Sequence, residues 1–170
     1  MTPARSVYVP QGKVEVCAGG GTYFTTVLGS CVAACAWDEQ GGMGGMNHLL
    51  LPPREGADSY GVHLMELLIN ALLRKGAVKG RLRVKLFGGA RMIDGLSDVG
   101  SANAAFARAF FEHEGIPVIS ESLGGTKARR VQFWPASGRA RQRFVNRAEA
   151  EPAVRTPPPP LPAGGEIELF

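Results

Sequence analysis

The 170-residue sequence has no run of about 18 apolar residues, so no membrane-spanning helix is expected. Its opening stretch, MTPARSVYVPQGK, lacks the apolar core of a signal peptide. Cysteine is scarce and odd in number: Cys17, Cys31 and Cys35. With no secretion signal, that count does not read as a disulfide framework, and a cytoplasmic protein with reduced thiols is expected. There is no C-x-x-C pair, which leaves a zinc site of Cys17, Cys31, Cys35 and His48 a remote alternative. The glycine runs at Gly19, Gly41 and Gly88 lack both the Lys-Ser/Thr of a phosphate loop and dinucleotide-binding spacing. No metal and no cofactor is therefore expected. Net charge is only +4, and aromatics among the late basic residues are limited to Phe133, Trp134 and Phe144, which argues against nucleic acid. No internal repeat is present.

What remains is an ordinary globular composition. Hydrophobic residues are 45% and charged residues 20%, enough apolar material for a core and too little charge for disorder. The size suits one domain. The first half reads as strands: Gly12 to Cys17, Thr22 to Leu28, then Cys31 to Trp37 and Met43 to Leu51 joined as a hairpin around Gly41-Gly42. Helical spacing comes next in Val62, Met65, Leu68, Ile69 and Leu72, with Asp58 or Ser59 as candidate cap and Gly76 as stop. A strand at Arg81 to Phe87, a helix at Ser101 to Glu114, and strands at Ile116 to Glu121, Arg129 to Trp134 and Arg139 to Val145 complete the pattern. The fold class is α/β, a strand-rich sandwich with helices covering the sheets. Residues 1–148 form the domain and 149–170 a Pro-rich flexible tail.

The chemistry concentrates at Leu28-Gly29-Ser30-Cys31. A Cys after a Gly-Ser break sits where the chain can turn sharply and where local N–H groups can face a reacting carbonyl. If Asp38 pairs with Met43 in the hairpin, Cys31 faces Leu50, and His48 lies two residues back on the same face. A one-residue slip would reverse that. An imidazole beside a thiol can take its proton and return it to a leaving group. A third group should hold the ring. Thr25 is the candidate on the neighbouring strand, through its hydroxyl or carbonyl; Thr26 would face the other way, and Asn47 is an alternative.

These residues carry a resemblance. Thr25-Thr26-Val27-Leu28-Gly29-Ser30-Cys31 and Gly44-Gly45-Met46-Asn47-His48-Leu49-Leu50-Leu51-Pro52 look like the CheD family of chemoreceptor glutamine deamidases. The likeness continues through Tyr60-Gly61, Met65 to Asn70, Phe87 to Met92, Gly100 with Asn103, Gly124-Gly125 and Arg129-Arg130-Val131. It spans roughly residues 10–145. It implies a cysteine hydrolase with Cys31 as nucleophile, His48 as acid–base and Thr25 as orienter, with Ser30 and Cys31 N–H groups as oxyanion donors. It further implies a sandwich similar to the catalytic domain of cytotoxic necrotizing factors. Implied partners are chemoreceptor cytoplasmic domains and a CheC-type phosphatase, and hydrolysis of methylated glutamates uses the same acyl-transfer logic. A monomer is expected. A non-enzymatic adaptor is the rival reading. Departures from the family pattern fall at Ser122, Leu64 and Ser137, away from the proposed trio.

Late basic residues, among them Arg129 and Arg130 with Phe133 between strands of one hairpin, are candidates for a substrate or partner surface. The tail holds Pro157 to Pro160, which cannot join a sheet interior, and then Ile167, Leu169 and Phe170. That ending reads as a stiff spacer plus a short apolar strand for this domain's own sheet edge or for a partner.

Overall fold

A computed structural model describes residues 3–92, 98–146 and 168–170. Two five-stranded sheets face each other. The strands in chain order are β1 (Arg5–Tyr8), β2 (Val14–Ala18), β3 (Thr22–Leu28), β4 (Val32–Asp38), β5 (Met43–Leu49), β6 (Arg83–Gly88), β7 (Val118–Leu123), β8 (Ala128–Trp134), β9 (Arg139–Val145) and β10 (Glu168–Leu169). Helix α1 spans Ala57–Arg74 and α2 spans Val99–Glu114. The first sheet runs β1-β3-β8-β9-β10 and the second β2-β5-β4-β6-β7.

The hairpin β4–β5 lies inside the second sheet, and every residue in both strands is buried. A strand covered on both faces needs small or apolar residues at successive positions rather than alternation. The two faces still separate by parity. Val32, Ala34 and Ala36 meet the helices, in a core with Leu64, Leu68, Leu72, Phe110 and Phe111. Ala33, Cys35 and Trp37 meet the first sheet, in a core with Phe24, Leu28, Val131 and Phe133. Both helices pack on the second sheet, so the helical layer covers one sheet of the two.

Helix boundaries differ in detail from expectation. Gly56, in the left-handed region at φ 85°, begins α1 with no side-chain cap, so neither Asp58 nor Ser59 serves that role. Helix α2 starts two residues before Ser101. Asp98 is its cap, accepting from the Ser101 N–H at 3.0 Å. Strand β1 was not legible in the sequence, and it pairs in parallel with β3. Of the segment expected to be a tail, Glu168 and Leu169 pair with β9, while residues 147–167 lie outside the described residues. Among the described residues no helix is long and apolar enough to cross a membrane.

Candidate active site

Cys31 and His48 are placed by the hairpin register. Asp38 lies opposite Met43, which sets Ala33 opposite His48 and Val32 opposite Leu49. His48 therefore points with Met46 and Ala33 into the space between the sheets. Cys31 immediately precedes β4 and packs against that same inter-sheet cluster. Across the gap, β3 turns Phe24, Thr26 and Leu28 inward, with Phe24 and Leu28 in the cluster.

This parity decides the orienting group. The Thr26 hydroxyl, fully buried, lies 2.9 Å from His48 Nδ1 and donates to the Val9 carbonyl at 2.8 Å. The expectation that Thr25 holds the ring is corrected: it is on the opposite face of β3, between Tyr8 and Gln132 in the sheet. Thr25 contributes by its backbone, since its carbonyl accepts from the Val9 N–H at 2.9 Å and so places the Val9 carbonyl. Asn47 is excluded as well. Its side chain faces the helices, donating to Leu64 O at 3.4 Å and accepting from the Ala34 N–H at 3.1 Å.

The tautomer of His48 is set by these bonds. Nδ1 lies 3.1 Å from the Val9 carbonyl, which can only accept. Nδ1 must therefore carry the proton, and the Thr26 oxygen accepts it, because the single hydroxyl proton already goes to Val9. Nε2 is left with a lone pair, the form a general base requires. Burial holds the imidazole below its ordinary pKa, with the Val9 contact opposing.

Cys31 sits on a turn held from three sides. The Gly29 carbonyl accepts from Ala90 N–H at 2.9 Å, the Cys31 carbonyl from Gly89 N–H at 2.8 Å, and the Ser30 carbonyl from Asn103 Nδ2 at 2.8 Å. Gly88, at φ 110°, is needed here: a Cβ would overlap the Cys31 carbonyl oxygen. Among the described residues the Ser30 N–H donates to no protein acceptor, and the Cys31 N–H lies against its own thiol sulfur. Burial pushes the thiol up to about 11, with its own N–H pulling the other way. Its hydrogen-bond contact is the Gln11 carboxamide oxygen at 3.9 Å, and among the described residues it makes none to the imidazole. The resting pair is thus a neutral thiol and a neutral imidazole.

Asn103 and Gln11 carry site contacts that sequence reasoning missed. Asn103, fully buried on α2, joins the Cys31 turn to the end of the hairpin by also accepting from the Leu51 N–H at 3.0 Å. A polar residue among the alanines of a helix was the available signal. The expected partner surface is corrected too, because Arg129, Arg130 and Phe133 are buried. The Arg129 guanidinium is spent on the carbonyls of Ser122 and Gly124 and the Ser122 hydroxyl. Of the other two thiols, Cys17 on β2 lies opposite Gly44 of β5, and Cys35 is deep between the sheets. Among the described residues no cluster of His, Cys, Asp or Glu could hold a metal.

The family model described as CheD chemotactic sensory transduction matches residues 52–144. A protein of Caulobacter vibrioides (strain NA1000 / CB15N), named "Probable chemoreceptor glutamine deamidase CheD", is 55% identical over 98% of this chain and 94% of its own. The chain belongs to the CheD family. CheD relatives of the same name occur in Rhizobium meliloti (strain 1021), at 51% identity over 98% of this chain and 96% of theirs, and in Agrobacterium fabrum (strain C58 / ATCC 33970), at 50% over 98% and 97%. A solved structure of a Neisseria meningitidis protein aligns at TM-score 0.44 and 13% identity, over 72% of this chain and 62% of its own, too slight a likeness to bear on the CheD site.

Proposed function

We propose that this protein deamidates glutamine side chains of chemoreceptors with Cys31 as nucleophile and His48 as base and acid. The observation that carries the reading is the Val9–Thr26–Nδ1 arrangement, which leaves Nε2 as an acceptor on the side of the sheet that Cys31 shares. The neighbouring Gln11 carboxamide supports the substrate class, since a primary amide fits at the mouth of the thiol. The names of relatives at 50–55% identity over nearly their whole length support the receptor as target.

In this mechanism Nε2 takes the thiol proton as sulfur bonds to the carboxamide carbon. The resulting oxyanion accepts from the Ser30 and Cys31 N–H groups. Nε2–H protonates the departing nitrogen, the C–N bond breaks, and ammonia leaves a glutamyl thioester. Nε2 then deprotonates water, whose oxygen attacks the same carbon. The C–S bond breaks and sulfur recovers its proton. One glutamine and one water become one glutamate and one ammonia. A methylated glutamate would pass through the same thioester with methanol as leaving group. The partners on this reading are receptor cytoplasmic segments, with a CheC-type phosphatase as a second. Ammonia release from a receptor cytoplasmic fragment tests it: the wild-type chain should release ammonia and Cys31→Ala should not, while release by both sinks the assignment.

A further inference from the structure

Outside the catalytic turn, the most fully built contact is at the far edge of the first sheet. Glu168 and Leu169 add antiparallel to β9, opposite Gln142 and Arg141, and close that edge. The Phe170 N–H donates to Ala140 O at 3.1 Å, and its ring enters the inter-sheet cluster, edge-on to Phe87 at 5.4 Å. Two buried polar groups meet this segment. Gln142 donates to the Glu168 carboxylate at 3.1 Å. Lys85, 5.3 Å from the Trp37 ring centroid, donates its ammonium to the Phe170 carbonyl.

We propose that the β9 edge, with Lys85, Phe87 and Gln142 at its inner side, is a peptide-binding site for an extended acidic–apolar–aromatic segment, filled here by the chain's own Glu168-Leu169-Phe170 as an exchangeable ligand. Three features select the ligand: a ring slot beside Phe87, a buried ammonium that needs a carbonyl or carboxylate, and a buried amide that faces an acid. Vacated, the site leaves Lys85 in an apolar cluster without its acceptor, so the empty edge favours refilling. The small size of the contact permits exchange. Only two residues pair with β9, and Leu169 is 69% exposed. Such a short strand addition binds weakly on its own and is held by attachment, which supplies an effective concentration on the order of millimolar.

The test uses full-length chains and a fluorescein-labelled peptide of residues 164–170. Glu168→Pro alters an exposed residue and removes an N–H that faces β9, since Phe170 two residues on donates to Ala140 and the N–H of Leu169 between them points outward; Phe170→Ala empties the ring slot. Both variants, checked for folding by near-ultraviolet circular dichroism, should bind the peptide at least about tenfold more tightly than wild type, in which the attached segment competes. Adding Lys85→Met to Glu168→Pro should weaken binding at least about tenfold. If Phe170→Ala fails to fold, the Glu168→Pro comparison decides alone. Equal binding by wild type and Glu168→Pro, or none at several millimolar (the order of concentration at which the attached segment acts), overturns the proposal. So does a wild-type mass that doubles with concentration and reverts in Glu168→Pro, which would mean the segment is exchanged between copies.

Discussion

Replacing Thr26 by valine removes one hydroxyl at constant shape, and the surrounding hydrogen bonds set the consequences. Two hydrogen bonds vanish, one to the Val9 carbonyl and one from His48 Nδ1. Neither partner is stranded, because Nδ1–H and the Val9 carbonyl still have each other at 3.1 Å. The folding cost should therefore stay near that of net hydrogen bonds, about 1–2 kcal/mol, rather than that of a buried orphan. The ring keeps its tautomer and loses one of two restraints on its orientation. Misplacement of Nε2 costs about 1–2 kcal/mol of transition-state stabilisation, or about five- to thirtyfold in kcat, with KM little changed. Thr25→Val should leave kcat within about twofold, since its side chain faces away and its carbonyl survives. Ammonia release from a receptor fragment, with kcat and KM separated, measures all three chains. A silent Thr26→Val together with a crippled Thr25→Val would refute the assignment of the orienter.

Cys31→Ala should abolish turnover while Cys17→Ala and Cys35→Ala retain it, checked by the same release assay with circular dichroism for folding. Asn103→Ala leaves the Ser30 carbonyl and Leu51 N–H unpaired, so it should cost about 2–3 kcal/mol in chemical denaturation and lower kcat more than KM. The pH profile of kcat/KM should show one acid limb with a midpoint below 6.5, because a protonated Nε2 cannot act as base and burial lowers the imidazole. It should then stay flat towards the thiol's own value of about 11, since the neutral thiol is the reactant; a rise tracking a thiol near 8 would contradict this.

The hairpin is legible in the sequence because a buried pair of strands must match in register, and the Gly41-Gly42 turn leaves Asp38 opposite Met43. That one pairing carries Cys31 and His48 to the same side. The orienter is easily misassigned although its signal is present: Thr26 shares the parity of Phe24 and Leu28, the residues of β3 most in need of burial. Asn103 lies some seventy positions from the carbonyl it holds, a distance along the chain that no periodicity bridges. Arg129 misleads because arginine normally faces water; here carbonyls at the end of β7 and in the loop after it replace the solvent. Strand β1 is four residues long with two of them exposed, too short and too polar to announce itself. The alternating apolar ending marks a strand suited to a sheet edge, but the place of Phe170 in the core needs Phe87 beside it, which the sequence does not reveal.

The central claim is an acyl transfer from a receptor glutamine through Cys31 to water. Peptide mass spectrometry of a receptor cytoplasmic fragment, incubated with the protein in water enriched in oxygen-18, tests it most directly. Hydrolysis of a thioester exchanges the amide nitrogen for one solvent oxygen, so each modified glutamine should gain about three daltons with the wild-type chain. The fragment should be unchanged with Cys31→Ala. An unmodified receptor after incubation with the folded wild-type chain, or the same mass gain with Cys31→Ala, would contradict the account.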